Sequence, residues 1–362
     1  MVRLPHLPDG FTPVLLTEVL KKAGALPDGV AVTSVAHSQV GEGTGMMSEV
    51  AGLTVGYSSS NHNLPSSFIA KFASQVETNR QVALSYQLYE RETRYFAELD
   101  ALTSVCTPAT LHSACDGERM LILMEDMRDY AVGSQVAGAS LEQAELALDE
   151  LARLHAPFQD KVDNLDWVPS IAGSYHADNM LALTESGFDI MVEKFGDVVT
   201  PALRERKTQF LQTIPMLQEY MARAPVTLCH GDYRMENLLY GNAPGHHPVV
   251  VLDWQGPLKA RGMNDVALFL TQSATTEVRR VHERDLLARY RTGLEENGAG
   301  APAAAQLWED YRWVTLYNWV YVTVIAGTLD VSNAAAYAWI SASLTRHSAA
   351  SEDLEIFELL SP

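Results

Sequence analysis

Up to Tyr130 the apolar positions fall mostly into short runs with strand-like alternation, interrupted by two helical stretches. Residues 13–23, PVLLTEVLKKA, have helical spacing and meet a stop at Gly24. From Gly29 to Val40, GVAVTSVAHSQV alternates small apolar and polar residues as a strand does. A glycine cluster, GEGTG at Gly41–Gly45, leads into MMSEVAGLTVGYS as a second strand. The turn-rich SSNHNLPS (Ser59–Ser66) separates this from SFIAKFAS, a third. From about Gln81 to Leu102 the positions Tyr86, Tyr89, Thr93, Phe96 and Leu99 recur at three and four, predicting one long helix. Cys106–Cys115, a turn at DGER (Asp116–Arg119) and MLILMEDM predict a hairpin.

Beyond Tyr130 the period changes. Ser140 and Gln143 have capping-box spacing, and Leu141, Ala144, Leu148, Leu151 and His155 fall on one helical face. Thr200 and Pro201 read as an N-cap and first helical residue, opening a helix to about Ala222. Short strand-like runs lie between Val226 and Trp254, and from Gly262 onward the chain is mostly helical and rich in alanine. The most apolar segment, Trp313–Val331, contains Thr315, Asn318 and Thr323 and falls short of the roughly 20 apolar residues of a membrane span, so it predicts a buried helix. The opening MVRLPHLPDG carries two prolines and no apolar run, unlike a secretory signal. These patterns predict a soluble, cytoplasmic chain of α+β class: a small strand-rich lobe joined near Asp126–Gly138 to a larger helical one.

Composition narrows the partners. Among 362 residues, 26 Lys and Arg stand against 45 Asp and Glu, a net charge of −19. Such a surface opposes nucleic-acid phosphates and polybasic docking on membranes, while leaving cationic small molecules open beside plain solubility. Cys106, Cys115 and Cys229 form no C-x-x-C pair, so neither a zinc knuckle nor a disulfide framework is expected.

The chemistry concentrates in LCHGDYRMENLLY, Leu228–Tyr240. Asp232 and Asn237 stand five residues apart in a polar loop between two apolar runs. A carboxylate there can accept a proton from a hydroxyl nucleophile, and an amide oxygen can ligate Mg²⁺. VVVLDWQ then puts Asp253 at the end of a hydrophobic strand, suited to a second ligand. His155 reads as a core histidine and His246-His247 as a surface turn. Asp265 reads as a helix N-cap, as an anchor for the loop carrying Asp253, or as both.

HGDYRMEN followed by DWQ resembles the aminoglycoside phosphotransferase and choline kinase superfamily, which has the protein-kinase-like fold. GEGTGMMSEV and the lysine of FIAKF make the resemblance closest to the ecdysteroid-kinase-like branch. It implies a two-lobed α+β fold: an N-terminal ATP-binding lobe over 1–128, with an antiparallel sheet plus helix, and a mainly helical catalytic and acceptor-binding lobe over 129–362. Gly41, Gly43 and Gly45 would cover the ATP phosphates, and Lys71 would position them, held by a helix glutamate. Glu90, Glu92 and Glu98 are the candidates, and RETRYFAEL, with Glu92 ahead of Tyr95-Phe96, favours Glu92. Backbone groups of Glu125, Asp126 and Met127 would meet adenine. Asp232 would be the catalytic base, Asn237 and Asp253 the Mg²⁺ ligands, and His230 a buttress for the loop rather than a proton carrier. Met235 stands where many relatives have proline or leucine. Gln255 replaces the protein-kinase glycine, which argues against a flip of the segment around Asp253.

The interval from Asp253 to Asp265 is about ten residues and holds no A-P-E element, which argues for a small-molecule acceptor over a protein. That acceptor's pocket is expected from the helical segments Asp160–Arg223 and Gln306–His347, with His176 and Asp178 as candidates. Between Tyr311 and Trp339 only Asp330 is acidic, too little to grasp a polycation. The expectation is therefore an uncharged or apolar alcohol, steroid-like or hydroxy-acyl. The alternatives are an aminoglycoside- or choline-type kinase and a nucleotide-binding pseudokinase. Joint retention of Lys71, Asp232, Asn237 and Asp253 argues against the last.

Overall fold

A computed structural model describes residues 10–40, 47–59, 63–329 and 333–360. The chain divides into two compact units. One comprises the residues up to Leu102 with Thr107–Asp129 and Asp253–Gly256; the other comprises Thr103–Cys106, Tyr130–Leu252 and the chain from Pro257.

In the first unit, α1 (Pro13–Lys22) opens where the Thr12 hydroxyl accepts the Leu15 amide at 3.2 Å. It buries Leu16, Val19 and Leu20, and Gly24, at φ +69°, follows its end. The sheet consists of β1 (Val32–Gln39), β2 (Ser48–Tyr57), β3 (Ser67–Ala73), β4 (Thr110–Cys115) and β5 (Met120–Glu125). Its order is β1-β2-β3-β5-β4, with every neighbouring pair antiparallel. Leu53, Phe68, Ala70, Phe72, Leu121 and Leu123 point into one apolar cluster with α1, the period-2 alternation made real.

The single helix expected over Gln81–Leu102 is instead a broken one. Helix α2 (Glu77–Ser85) stops, Gln87 turns left-handed at φ 56°, and α3 (Leu88–Arg94) restarts. A π-helical turn (Tyr95–Leu99) and a 3₁₀ turn (Asp100–Leu102) complete the stretch. The restart buries Tyr89, Glu92 and Tyr95. The Tyr89 hydroxyl donates to the Met47 carbonyl at 2.7 Å and accepts the Ser74 amide at 3.0 Å, tying α3 to the sheet.

The second unit starts with β6 (Ala131–Val132) and α4 (Leu141–Phe158). The α4 capping box forms in both directions, Gln143 amide to Ser140 hydroxyl at 3.2 Å and Ser140 amide to Gln143 side chain at 3.1 Å. Helix α5 (Tyr175–Phe195) carries His176, buried, and Asp178, exposed. Pro201 does open a helix, but α6 (Pro201–Glu205) breaks at Arg206 before α7 (Lys207–Met221). Thr200 does not cap it, because its hydroxyl donates to Glu352 at 2.9 Å.

Then follow β7 (Thr227–Cys229), β8 (Leu238–Tyr240), β9 (Val249–Val251) and β10 (Leu258–Ala260), with β10 pairing β7 and β8 running between β6 and β9. The rest is α8 (Met263–Leu268), α9 (Thr276–Glu296), α10 (Ala304–Thr328) and α11 (Ala334–Asp353). Helix α10, drawn from the most apolar segment, buries Val314, Leu316, Trp319 and Val320 and packs chiefly on α5 and α8. A Cβ added at Gly327 would meet the Gly187 Cα at 2.5 Å, so the α10–α5 crossing needs glycine. Among the described residues no helix is long and apolar enough to cross a membrane.

Candidate active site

Lys71 lies in the middle of β3, paired with Val50 of β2 and Ile122 of β5. A buried lysine at such a position needs partners. Its ammonium donates to Glu92 Oε1 of α3 and to Asp253 Oδ1, each at 2.7 Å. Burial works against the ammonium charge, but the carboxylates of Asp253 and Glu92 outweigh it and hold Lys71 above the usual lysine range. Burial also pushes the Glu92 carboxyl up, against the pull of Lys71 and with Asp253 adding to the rise. Of the three candidate glutamates only Glu92 reaches Lys71, while Glu90 and Glu98 pair with Arg94 on the exposed side of the helix. Tyr95, in the π-helical turn, stacks on fully buried Trp254 with ring centroids 3.8 Å apart and planes within 4°. That stack locks the residue beside Asp253, which itself holds a left-handed φ of 63°. The sequence offered no signal for it.

Glu125 ends β5, and its amide donates to Ala109 at 2.9 Å, so an adenine contact from Glu125 must use its carbonyl. Met127 follows two residues later, beside the Asp126–Arg128 ion pair. Gly41, Gly43 and Gly45 lie outside the described residues.

In the second unit, β7 runs into His230, Gly231 and Asp232, a 3₁₀ turn (Met235–Asn237) follows, and β8 and β9 close the loop. Asn237 Nδ2 donates to the Asp232 carbonyl at 2.8 Å and to Asp232 Oδ2 at 3.0 Å. The two motif residues therefore meet across their five-residue spacing. His230 is fully buried; its Nε2 donates to the Leu252 carbonyl at 2.9 Å and its Nδ1 accepts the Asp232 amide at 3.2 Å. This pairing assigns the Nε2–H tautomer and engages both ring nitrogens in holding backbone.

Asp265, in the first turn of α8, is fully buried. It accepts the His230 amide at 2.6 Å, the Gly231 amide at 3.0 Å and His155 Nε2 at 3.2 Å. Burial opposes its charge, yet the His155 hydrogen bond and the neighbouring imidazoles and Gly231 amide hold the Asp265 carboxyl below its ordinary range. It is not the N-cap, a place taken by Gly262. It suspends the loop that carries Asp232. His155, on the apolar face of α4, also accepts the Tyr290 hydroxyl through Nδ1 at 2.7 Å. His155, Cys229 and Asp265 have ligand atoms within 4.8 Å of one another, but all three are engaged in these hydrogen bonds or, for Cys229, with the Arg261 carbonyl.

Sequence reasoning also missed Gln135. Its Oε1 accepts the Met235 amide at 3.2 Å and the Ser273 hydroxyl at 3.0 Å, and its Nε2 donates to the Gln272 carbonyl and the Ser343 hydroxyl, each at 2.9 Å. One fully bonded buried amide thus ties the Asp232–Asn237 loop to two distant helical segments.

Taken separately, the Asp253 carboxylate of the first unit and the Asn237 amide oxygen of the second, whose Nδ2 is committed to Asp232, each have the chemistry of a hard-cation donor.

The profile of the Ecdysteroid kinase-like family matches residues 42–299, well over half of the chain. No curated protein matches. Among solved structures, the GDP and kanamycin complex of APH(2″)-IIia is 15% identical with a TM-score of 0.52, covering 95% of this chain and 98% of that one. The GDP complex of a point mutant of aminoglycoside 2′-phosphotransferase-IIIa is 16% identical with a TM-score of 0.51, covering 96% and 98%. At that identity the likeness is one of fold, and the fold is α+β of the protein-kinase-like kind.

Proposed function

The chain belongs to the ecdysteroid kinase-like family of phosphotransferases, and on that premise we propose that it uses ATP and Mg²⁺ to phosphorylate a hydroxyl of an uncharged small molecule. The observation that carries this reading is the Asp232 carboxylate, partly exposed on a loop whose backbone is fixed by buried His230 and Asp265.

In this reading residues 1–128 are the ATP-binding lobe and 129–362 the catalytic and acceptor-binding lobe. Lys71, charged and aimed by Glu92, takes the α- and β-phosphates, Gly41, Gly43 and Gly45 cover them, and the backbones of Glu125 and Met127 meet the adenine. Asp232 orients the acceptor hydroxyl and accepts its proton as the hydroxyl oxygen bonds to the γ-phosphorus and the β–γ bridging oxygen departs with ADP. His230 moves no proton, because both its nitrogens hold backbone. Asn237 Oδ1 and the Asp253 carboxylate are the ligands assigned to Mg²⁺, which when bound offsets charge on the β- and γ-phosphates. The acceptor class rests on the sequence: Asp330 is the only acid between Tyr311 and Trp339. Aminoglycoside-binding relatives of low identity share the fold and carry no weight on this point.

Mg²⁺-dependent ATP consumption over a panel of steroids, hydroxy acids, choline and aminoglycosides tests the reading. Turnover is expected with an uncharged alcohol. Turnover with aminoglycosides alone refutes the acceptor class, and tight ATP binding without turnover of any acceptor points to a pseudokinase.

A further inference from the structure

The Asp232 carboxylate is held from a side the motif does not explain. Arg234 Nε lies 3.2 Å from Asp232 Oδ1 and 3.3 Å from Oδ2, while Asn237 takes only Oδ2. A lone arginine–aspartate pair with this much exposure, 19% and 30% for the two side chains, would be mobile and weak. Arg234 is not alone. Its Nη1 donates to Glu236, and its guanidinium lies over the Trp339 ring of α11, 4.7 Å from the centroid. One plane is thus gripped by two carboxylates and an aromatic face, an arrangement that lysine cannot reproduce. Because Asp232 and Glu236 already offset its charge, Arg234 is not a receptor for an anionic acceptor.

We propose that Arg234, braced by Glu236 and Trp339, is a positioning residue that fixes the plane of the Asp232 carboxylate. It thereby sets the direction in which Oδ1, the oxygen Asn237 does not bind, meets the acceptor hydroxyl. The assignment of that hydroxyl rests on the phosphotransfer reading; the orientation of the carboxylate does not. Trp339 makes α11, a hundred residues away in sequence, part of the support for the catalytic loop.

Crystal structures of the wild type and Arg234→Ala, compared at a resolution that shows the carboxylate plane, test the orientation directly. The Asp232 carboxylate is expected to rotate or divide between rotamers in the variant. In parallel, kcat with Mg-ATP and the panel alcohol turned over fastest should fall about tenfold to a hundredfold, the usual consequence of a misplaced reacting group, with KM for ATP and Tm unchanged. Millimolar guanidinium should restore part of the loss, Arg234→Lys should not, and Trp339→Leu should reproduce the defect in weaker form. An unmoved Asp232 carboxylate, or an undiminished kcat, overturns the proposal. A wild type that phosphorylates no acceptor contradicts the phosphotransfer reading instead, and the two crystal structures still decide the role of Arg234.

Discussion

Lys71 and His347 show how burial sets charge at single residues in opposite ways. Lys71 stays an ammonium because two carboxylates face it at 2.7 Å. Lys71→Met would leave buried Glu92 without its cation. Glu92 should then be held protonated, and Mg-ATP affinity should fall at least tenfold by calorimetry; unaltered affinity would deny Lys71 its assigned place. His347 has no such partner. Burial, with the charge of Arg279 adding to it, lowers its pKa to about 3, and it is hydrogen-bonded to Thr271 at 3.0 Å and set edge-on to Trp319. The unfolded chain takes up a proton near pH 6.5 that the folded chain refuses, so this contribution is whole above that pH and shrinks as pH falls toward about 3. Between pH 7.5 and pH 5 the protein should lose about 2 kcal/mol from this group, read by urea unfolding. His347→Gln should flatten the dependence in that window. Asp265, whose carboxyl is held low, loses its contribution only at more acid pH and does not enter it.

At the scale of elements, legibility followed distance along the chain. The α4 capping box was readable because Ser140 and Gln143 are three residues apart and need nothing else. The stop at Gly24 was readable for the same reason, as was the pairing of Asp232 with Asn237 across one loop. The break at Gln87 was not, because Tyr89 must reach Met47 and Ser74 from the sheet, a demand invisible within the helix's own window. Arg206 interrupts the helix opened at Pro201 in a way the local pattern did not signal. Gln135 is the extreme case: its partners lie from 100 to 208 residues away. Replacing it with leucine takes the acceptor from the buried Met235 amide and the Ser273 hydroxyl, while the Gln272 carbonyl keeps Arg346 and the Ser343 hydroxyl keeps the Trp339 carbonyl. Gln135→Leu should destabilise the protein by at least about 2 kcal/mol in urea and also lower kcat, since the Met235 amide loses its acceptor. A change under about 0.5 kcal/mol would show that the hub contributes little.

For the whole molecule, the order of signals along the chain, from the lysine strand through the glutamate helix and the HGDYRMEN loop to DWQ, revealed the fold class, because each lies in a local segment of recognisable period. The identity of the acceptor was less legible, since a pocket of the kind proposed would draw side chains from distant parts of the sequence. The net charge of −19 is a property of the surface: Asp265 and Glu92 are buried, but most acids, as in SEDLEIFELL, face water. Self-repulsion of that surface should be screened by salt, so Tm is expected to rise between low and physiological ionic strength. A Tm that falls would mean that ion pairs such as Arg289–Asp149 outweigh repulsion. The central claim, phosphoryl transfer to an alcohol with Asp232 as base, is tested most directly by phosphorus NMR of Mg-ATP incubated with the panel alcohols and either wild type or Asp232→Asn. A new phosphomonoester resonance should appear with wild type and form about 10²–10⁴-fold more slowly with the folded variant. Equal rates for the two proteins, or release of inorganic phosphate alone, would contradict it.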